Sequence, residues 1–269
     1  MSDGRSSGLV LTAVLDPVQR LGQATLGGLS AMGRFGVFFG QTLFYLVAPP
    51  FKVGQTLSRI SFIGVRSMSI ILLTGGFTGM VLGLQGVLML RRVGSEAFVG
   101  PAVAVSLVRE LGPVLSALMV TGRAGSALAA EIGVMRITEQ IDALTVMALN
   151  PIRYLVVPTL VAAVIALPIL GWVFDTVGIF GGYLIAVKLF GLSGGTYFGQ
   201  IQAFLSTTDI WVGFWKSLAF GIVIAWVACY KGFYVGHGAE GVGRATTESV
   251  VLASVLIFVL DYFMGSVLP

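Results

Sequence analysis

Five apolar runs, each long enough to cross a lipid bilayer, constrain this chain more than any other feature. The hydrocarbon core of a bilayer is about 30 Å thick, and a helix needs roughly 20 apolar residues to cross it. The runs cover residues 67–90, 97–130, 154–187, 210–230 and 249–268. Only 10% of the residues are charged, against about 25% in soluble domains. The pattern predicts an all-α integral membrane protein with five transmembrane helices.

The third run, 154–187, is long enough to conceal two spans, since it would give about 51 Å of helix at 1.5 Å per residue. Basic residues mark the cytoplasmic side of a membrane protein. With one crossing per run, eleven Lys and Arg residues fall on the side of the N-terminus and three on the other side. Splitting the third run would move Lys231 and Arg244 to the poorer side. The count therefore predicts five spans, with the N-terminus inside and the C-terminus outside.

The segment before the first span is predicted to lie along the membrane rather than across it. Residues 35–48 form an apolar stretch of 14 residues, which is too short to cross and is typical of an interfacial or re-entrant helix. Residues 9–21 form a weaker amphipathic piece. We expect one transmembrane domain over residues 1–269, with a cytoplasmic or interfacial elbow over 1–55 and a five-span core over 60–269.

Several classes of function are excluded by residues that the chain lacks. One cysteine (Cys229) and one histidine (His237) cannot form a zinc site or a disulfide framework. None of the four lysines follows a glycine, so the chain has no GxxxxGK(S/T) phosphate-binding loop. The net charge of +4 is spread over scattered basic residues, which fits membrane topology rather than nucleic-acid binding. We expect no catalytic residue, metal or cofactor in this chain, and no nucleic-acid partner.

Small residues recur at every fourth position in the first two runs. Gly75, Gly79 and Gly83 form such a stripe in the first run, and Gly125 belongs to a similar stripe in the second. Small residues at this spacing let two helices approach closely. Two interpretations stay open: packing between helices of one chain, or a subunit interface or sliding surface.

Charged residues inside the runs are candidates for a functional role, because a charge at the bilayer centre costs several kcal/mol. Arg109 and Glu110 are adjacent, so on a helix they point about 100° apart and cannot pair well with each other. Lys216, in the fourth run, lies at a depth that suits Glu110. These residues form either a structural ion pair or a polar part of a substrate pathway. Asp175 and Asp261 lie near the predicted outer ends, where snorkelling would satisfy them.

The loop between the second and third runs is predicted to contain a short amphipathic helix within residues 134–150. Thr138 is the candidate N-cap, and Asn150, which precedes a proline, would end the helix. The polar face of this helix is acidic, whereas helices that lie in the lipid headgroups favour Lys and Arg. The acidic face favours a protein partner.

A set of motifs, in this order along the chain, resembles the MlaE/YrbE permease family from about residue 59 to the C-terminus. The motifs are GMVLGLQG at 79–86, LVRELGP at 107–113, GRAGS at 122–126, AEIG at 130–133, MRITEQ at 135–140, NP at 150–151 and GRATT at 243–247. Members of this family are the membrane subunits of MCE-associated ABC transporters, which move phospholipids across the Gram-negative envelope. The loop differs from the EAA signature of nutrient importers, which makes a small-solute importer less favoured.

The resemblance implies partners that the residues alone do not. It implies a permease homodimer in the bacterial inner membrane, carrying two copies of a separate cytoplasmic ATPase that would hold ATP and Mg²⁺. It also implies a periplasmic ring of MCE-domain proteins and, in some members, a small STAS-domain accessory. The substrate would be phospholipid. The loop helix at 134–150 would be the coupling helix that enters a groove on the ATPase.

The resemblance also implies roles for individual residues. Those implied in ATPase docking are Glu131, Arg136, Glu139, Gln140, Asp142 and Leu144. Those implied in contacts with lipid tails are Leu82, Gln85, Met89, Leu90 and Val93. Those implied in polar contacts along the lipid pathway are Arg109, Glu110 and Lys216, with Arg244 near the cytoplasmic entry of the last span.

Two rival functions from other classes stay open on the residues alone. A proton-coupled secondary transporter would use Arg109, Glu110 and Lys216 as a relay, but such proteins often contain inverted repeats, and no repeat is visible here. A membrane anchor that only recruits an MCE complex would move no lipid.

Overall fold

The structure is a computed structural model that describes residues 26, 30, 33–46 and 53–267. The contacts divide the chain into two units, residues 1–48 and 49–269. In the first unit, residues 33–46 are helical, which agrees with the predicted apolar helix over the part of it that is described. The predicted amphipathic piece at 9–21 lies outside the described residues.

The second unit consists of helices joined by short turns and loops, with no strand among its described residues. Its helices are α2 (Val53–Ile63), α3 (Met68–Arg91), α4 (Val99–Ser106), α5 (Gly112–Val120), α6 (Ser126–Ile137), α7 (Gln140–Val146), α8 (Val157–Tyr183), α9 (Gly194–Phe204), α10 (Thr207–Phe233) and α11 (Gly238–Val267); the label α1 is given to residues 33–46. Short 3₁₀ and π-helical turns join several of them.

Five helical segments are long and apolar enough to cross a membrane, which confirms the predicted number. Spans 1 to 5 are Val53–Arg91, Glu96–Ile137, Ile152–Leu189, Thr207–Phe233 and Gly238–Val267. The ambiguous third run forms one continuous span, and Pro168 lies inside α8 without ending it. A proline costs one backbone hydrogen bond, but transmembrane helices tolerate it where neighbouring groups compensate.

The spans extend beyond the apolar runs at one end of the bundle. Span 1 begins at Val53 rather than at residue 67, span 2 continues to Ile137, and span 5 begins at Gly238 rather than at residue 249. The apolar runs record only the part of each helix that hydrocarbon surrounds. The three polar extensions lie at the same end of the bundle as the loop between spans 2 and 3.

The glycine stripe of span 1 packs against α8 of the same chain. A Cβ added to Gly75 would lie 3.0 Å from the carbonyl oxygen of Phe174, and one added to Gly83 would lie 2.9 Å from the Cα of Gly182. A Cβ on Gly79 would overlap the carbonyl oxygen of Gly178. The backbones of α3 and α8 are therefore in direct contact. The stripe serves packing between helices of one chain, the first of the two interpretations. A Cβ added to Gly125 of the second stripe would lie 3.4 Å from the Cγ2 of Ile224 in α10.

One helix, α9, was not predicted, because eleven residues with moderate hydrophobicity resemble an ordinary loop. Ser193 caps it by accepting a hydrogen bond from the Thr196 amide. Tyr197 is buried, and its hydroxyl donates to the carbonyl oxygen of Ile179 at 3.1 Å. Burial raises the pKa of this phenol above its ordinary value. Packing of α9 on α4, where Gly100 faces the Tyr197 backbone, rather than periodicity, fixes this helix.

We predict that Gly79→Ala destabilises the protein strongly, because the new methyl group cannot fit against the Gly178 backbone. Overpacking a core typically costs about 1–3 kcal/mol, and here backbone rather than a movable side chain must yield. Gly76→Ala is the matched control, since its added Cβ would meet only a Val177 methyl group at 3.5 Å. Thermal unfolding in detergent measures the difference. Equal melting temperatures for the two variants would contradict the packing described here.

Candidate functional site

Three spans meet at Lys216, a lysine inside the bundle with no exposed side-chain area. Its Nζ pairs with Oε2 of Glu110 from span 2 and lies 2.9 Å from Oδ1 of Asp261 in span 5. The predicted pair between Glu110 and Lys216 is present. The sequence did not reveal Asp261 as a partner of Lys216, because its position near a predicted outer end indicated a carboxylate that reaches water by snorkelling.

Arg109 turns away from this cluster towards a different carboxylate. Its Nη1 donates to Oδ1 of Asp209 at 3.1 Å. Asp209 also accepts hydrogen bonds from the backbone amide and hydroxyl of Ser206, in a capping box that begins α10. Arg109 and Glu110 both lie in a π-helical turn, Leu107–Leu111. Such turns occur frequently at functional sites. The two adjacent residues pair with different partners, Arg109 with Asp209 and Glu110 with Lys216.

The two ion pairs differ in their access to the surface. Lys216 is enclosed, whereas the side chains of Glu110 and Arg109 are 46% and 35% exposed. A buried lysine beside two carboxylates leaves one negative charge in excess, and an intramembrane charge is costly without a partner. Glu110 and Arg109 therefore present one carboxylate and one guanidinium at the bundle surface. Their role as polar contacts for lipid stays a prediction.

Snorkelling was the wrong explanation for two aspartates. Asp261 is paired with Lys216. Asp175 lies within α8, is 7% exposed, and packs so closely against Gly112 that a Cβ there would overlap its carboxyl group. Its Oδ1 has no hydrogen-bond partner among the described residues. The boundaries of the run were predicted nearly as observed, but Asp175 lies well inside span 3, which continues to Leu189, rather than at its outer end.

The residues implied in lipid contact lie on α3, except Val93, which follows the end of that helix at Arg91. Leu82, Gln85 and Met89 share one side of the helix by their spacing, and Met89 and Val93 are 71% and 72% exposed. Leu90 is half-buried and instead follows the row of Gly83 and Val87, the side of α3 that packs on α8.

The predicted loop helix exists, but it begins differently. The Thr138 hydroxyl donates to the carbonyl oxygen of Val134, so it does not cap α7, and that part of the prediction was wrong. The polypeptide instead turns at Glu139, which has a φ of 59°. Asn150 does more than follow the helix end: its Oδ1 accepts from the amides of Ile152 and Arg153 at 3.0 and 3.3 Å. It therefore caps span 3.

A salt bridge and one buried side chain connect α7 to the rest of the chain, while its end is left exposed. Arg136 donates to Asp142 at 2.6 Å, and Ile141 is buried. Glu139 and Gln140 are exposed, and Leu144 is half-buried. Sequence reasoning called this surface acidic and missed its apolar tip. Val146 and Met147 are 88% and 69% exposed.

Two further predicted residues are engaged within the chain. Glu131 accepts hydrogen bonds from the two terminal guanidinium nitrogens of Arg59, at 2.6 and 2.8 Å, and these bonds connect α6 to α2. Arg244 donates to Glu248 at 2.9 Å, although its side chain is 82% exposed, and Lys231 reaches the same carboxylate. The docking role of Glu131 and the lipid role of Arg244 stay predictions. Among the described residues no His, Cys, Asp and Glu side chains cluster as a metal site.

The described residues form a five-span bundle with charges paired inside it and an exposed loop helix at one end, which is the architecture of a polytopic membrane protein. The family model described as Permease MlaE matches residues 56–267. The chain belongs to the MlaE permease family.

Relatives across several organisms cover most of the chain. A probable ABC transporter permease protein of Rickettsia bellii is 38% identical over 251 residues, covering 93% of this chain and 97% of that protein. The intermembrane phospholipid transport system permease protein MlaE of Haemophilus influenzae is 38% identical over 261 residues, covering 95% and 98%. The chloroplast protein TRIGALACTOSYLDIACYLGLYCEROL 1 of Arabidopsis thaliana is 34% identical over 230 residues, covering 86% and 66%.

We predict that Lys216→Met destabilises the protein by at least about 2 kcal/mol. Removing one partner of a fully buried ion pair costs about 3–5 kcal/mol, and the half-exposed Glu110 reduces that figure. The exposed Lys188 provides the matched control, since Lys188→Met should cost less than about 0.5 kcal/mol. Adding Glu110→Gln and Asp261→Asn to Lys216→Met should restore most of the loss, because no uncompensated charge remains.

Thermal unfolding in detergent compares the four proteins. If Lys216→Met and Lys188→Met unfold at the same temperature, the ion cluster contributes nothing to stability.

Proposed function

We propose that this chain is the membrane-spanning subunit of an ABC-type transporter that moves phospholipids between the inner membrane and a periplasmic MCE-domain protein. Family membership and the phospholipid transport named for the Haemophilus relative support the substrate class. A separate ATPase supplies the energy, because the sequence of this chain contains no phosphate-binding loop of the P-loop type.

The observation that carries the proposal is the exposed loop helix. A salt bridge between Arg136 and Asp142 fixes α7 against the end of α6. Val146 and Met147 then extend apolar side chains into water, which is costly unless a partner covers them. An apolar anchor beside exposed acidic groups resembles the centre and rim of a protein interface. The ATPase is the partner that we assign to it.

The path from this contact to the membrane is short. The loop helix follows α6, and α6 continues span 2, which carries Glu110 and Arg109. Glu131 on α6 holds Arg59 of span 1, and Lys216 joins span 2 to spans 4 and 5. Movement of α7 by the ATPase would therefore shift several spans together. Nucleotide changes the balance of conformations only through its different affinity for each state.

The lipid chamber is proposed to lie between two copies of the chain. The most apolar windows of spans 1 and 5 are only 28% and 11% buried. Those faces contact either lipid or a second subunit, and the exposed face of α3 with Gln85 and Met89, together with Val93 beyond its end, would line the chamber. Each buried methylene group of an acyl chain contributes about 0.8 kcal/mol. The charges of Arg109 and Glu110 would meet the headgroup.

The remaining parts of the assembly follow from the same proposal. The N-terminus lies in the cytoplasm, α7 faces the ATPase on that side, and the MCE ring covers the opposite end. A STAS-domain protein, where present, binds on the cytoplasmic side. ATP and Mg²⁺ belong to the ATPase, and this chain performs no covalent chemistry.

We predict that Val146→Asp and Glu139→Lys each weaken ATPase binding, the first by removing an apolar anchor and the second by reversing an exposed charge. Loss of a central interface side chain costs about 1–2 kcal/mol or more, so affinity should fall about tenfold. Leu189→Asp is the control, because Leu189 is also exposed, at 66%, but lies at the end of span 3.

Co-purification of the ATPase with the tagged permease measures this binding. Full recovery of the ATPase with Val146→Asp and Glu139→Lys would place the docking surface elsewhere.

We also predict that Met89→Glu abolishes lipid transport while leaving ATPase binding intact, because a carboxylate in the chamber repels acyl chains. Leu84→Glu is the matched control, since Leu84 is 38% exposed but by its spacing lies on the other side of α3 from Met89. Transfer of fluorescent phospholipid by the reconstituted complex is the readout. Equal transfer rates for the two variants at equal abundance would refute the chamber assignment.

A further inference from the structure

A second cavity lies at the end of the bundle that carries α7, apart from the proposed chamber. It has a volume of about 520 Å³ and lies between α2, α6 and the start of span 3. Its polar lining residues are Gln55, Ser58, Arg59, Ser61, Arg66, Glu131 and Tyr154. The proposed transport cycle uses the ion pair of Arg59 and Glu131 in its wall but gives the cavity itself no role.

The length of span 1 places this cavity at the level of the lipid headgroups. Its long α-helix, α3, has 24 residues from Met68 to Arg91, or about 36 Å at 1.5 Å per residue, and a 3₁₀ turn at Val65–Ser67 separates it from α2. The hydrocarbon core accommodates only about 30 Å of α3. Arg59 and Arg66 precede the uncharged run that begins at residue 67. The hydrocarbon core takes the uncharged run, so these two arginines lie in the interface.

The cavity and its wall carry an excess of positive charge. Arg59 is neutralised by Glu131 through two hydrogen bonds. Arg66 and Arg123 each place their guanidinium carbon 5.6 Å from the centre of the Phe62 ring. Among the residues that the structure describes, neither of these two arginines forms a salt bridge with a carboxylate. Arg123 does not line the cavity, and its guanidinium already donates two hydrogen bonds within the chain. Arg59 and Arg66 therefore face one carboxylate in the cavity, and the local charge of +1 attracts an anion.

The remaining lining is amphipathic. Ser58 and Tyr154 carry hydroxyl groups, and Oε1 of Gln55 is buried without a hydrogen-bond partner among the described residues. Leu155 and Pro158 supply an apolar wall. A ligand that fits this lining combines an anionic group for arginine, a hydrogen-bond donor for Gln55, and an apolar portion. Arginine is well suited to phosphate, which its planar guanidinium binds through two parallel hydrogen bonds.

We propose that this cavity binds the phosphate group of an anionic phospholipid from the leaflet on the α7 side, with Arg66 as its main contact. That this leaflet is the cytoplasmic one rests on the orientation in the proposed function; the site itself does not. A bound phosphate competes with Glu131 for Arg59. Because Glu131 belongs to the helix that leads into α7, occupancy of the cavity loosens the link between α2 and α6. The lipid is therefore a regulator of the permease, separate from its cargo.

The test measures binding to the purified full-length chain without its ATPase, so that it is independent of docking and transport. Isothermal titration uses three probes: dihexanoyl phosphatidylglycerol, dihexanoyl phosphatidylcholine and inorganic phosphate. Arg66→Gln should weaken phosphatidylglycerol binding about tenfold, as expected for one hydrogen bond to a charged group. Arg92→Gln is the matched control, because Arg92 is exposed at the opposite end of α3 and should leave the affinity unchanged.

A second variant keeps the test informative if Arg66→Gln folds poorly. Glu131→Gln removes the competing carboxylate and should tighten phosphatidylglycerol binding. Equal affinities for wild type, Arg66→Gln and Arg92→Gln would overturn the site. Inorganic phosphate that binds as tightly as phosphatidylglycerol would overturn the lipid assignment and leave a site for free phosphate. Phosphatidylcholine that binds equally well would overturn the requirement for a net negative headgroup.

Discussion

Close backbone contact between α3 and α8 is the interaction on which the rest of this structure depends. Lipid gives transmembrane helices no hydrophobic reason to associate, so they depend on tight van der Waals packing. Gly79 and Gly178 bring two backbones together where no other residue type fits. This contact fixes span 1 against span 3 and leaves the other side of α3 exposed. The proposed lipid chamber is therefore a consequence of which side of α3 carries the glycines.

Paired charges then connect the remaining spans. Lys216 joins spans 2, 4 and 5, while Glu131 joins span 2 to span 1 through Arg59. A buried ion pair contributes little net stability, but breaking it is costly. Such pairs hold helices in register rather than strengthen the fold. In the proposed mechanism, the ATPase moves α7, and this movement changes the register of the helices.

Bilayer physics made much of this fold predictable from sequence, and tertiary contact decided the rest. Apolar length gave the five spans, and the cost of intramembrane charge gave the pair between Glu110 and Lys216. Small-residue spacing identified the α3 stripe but not its partner, because spacing does not specify which helix lies opposite. Thr138 failed as a cap because a nearer carbonyl, that of Val134, took its hydroxyl. The exposure of Val146 was not predicted, because the sequence around it is acidic and local periodicity does not show which apolar side chains stay uncovered.

The central claim is that this chain is a gate driven by an ATPase that it does not contain. Phospholipid movement across proteoliposomes tests the claim most directly, with the chain reconstituted alone or together with its ATPase. The account predicts movement only with the ATPase and hydrolysable ATP, and none by the chain alone under a proton gradient. Movement by the chain alone, driven by that gradient and indifferent to ATP, would contradict the account.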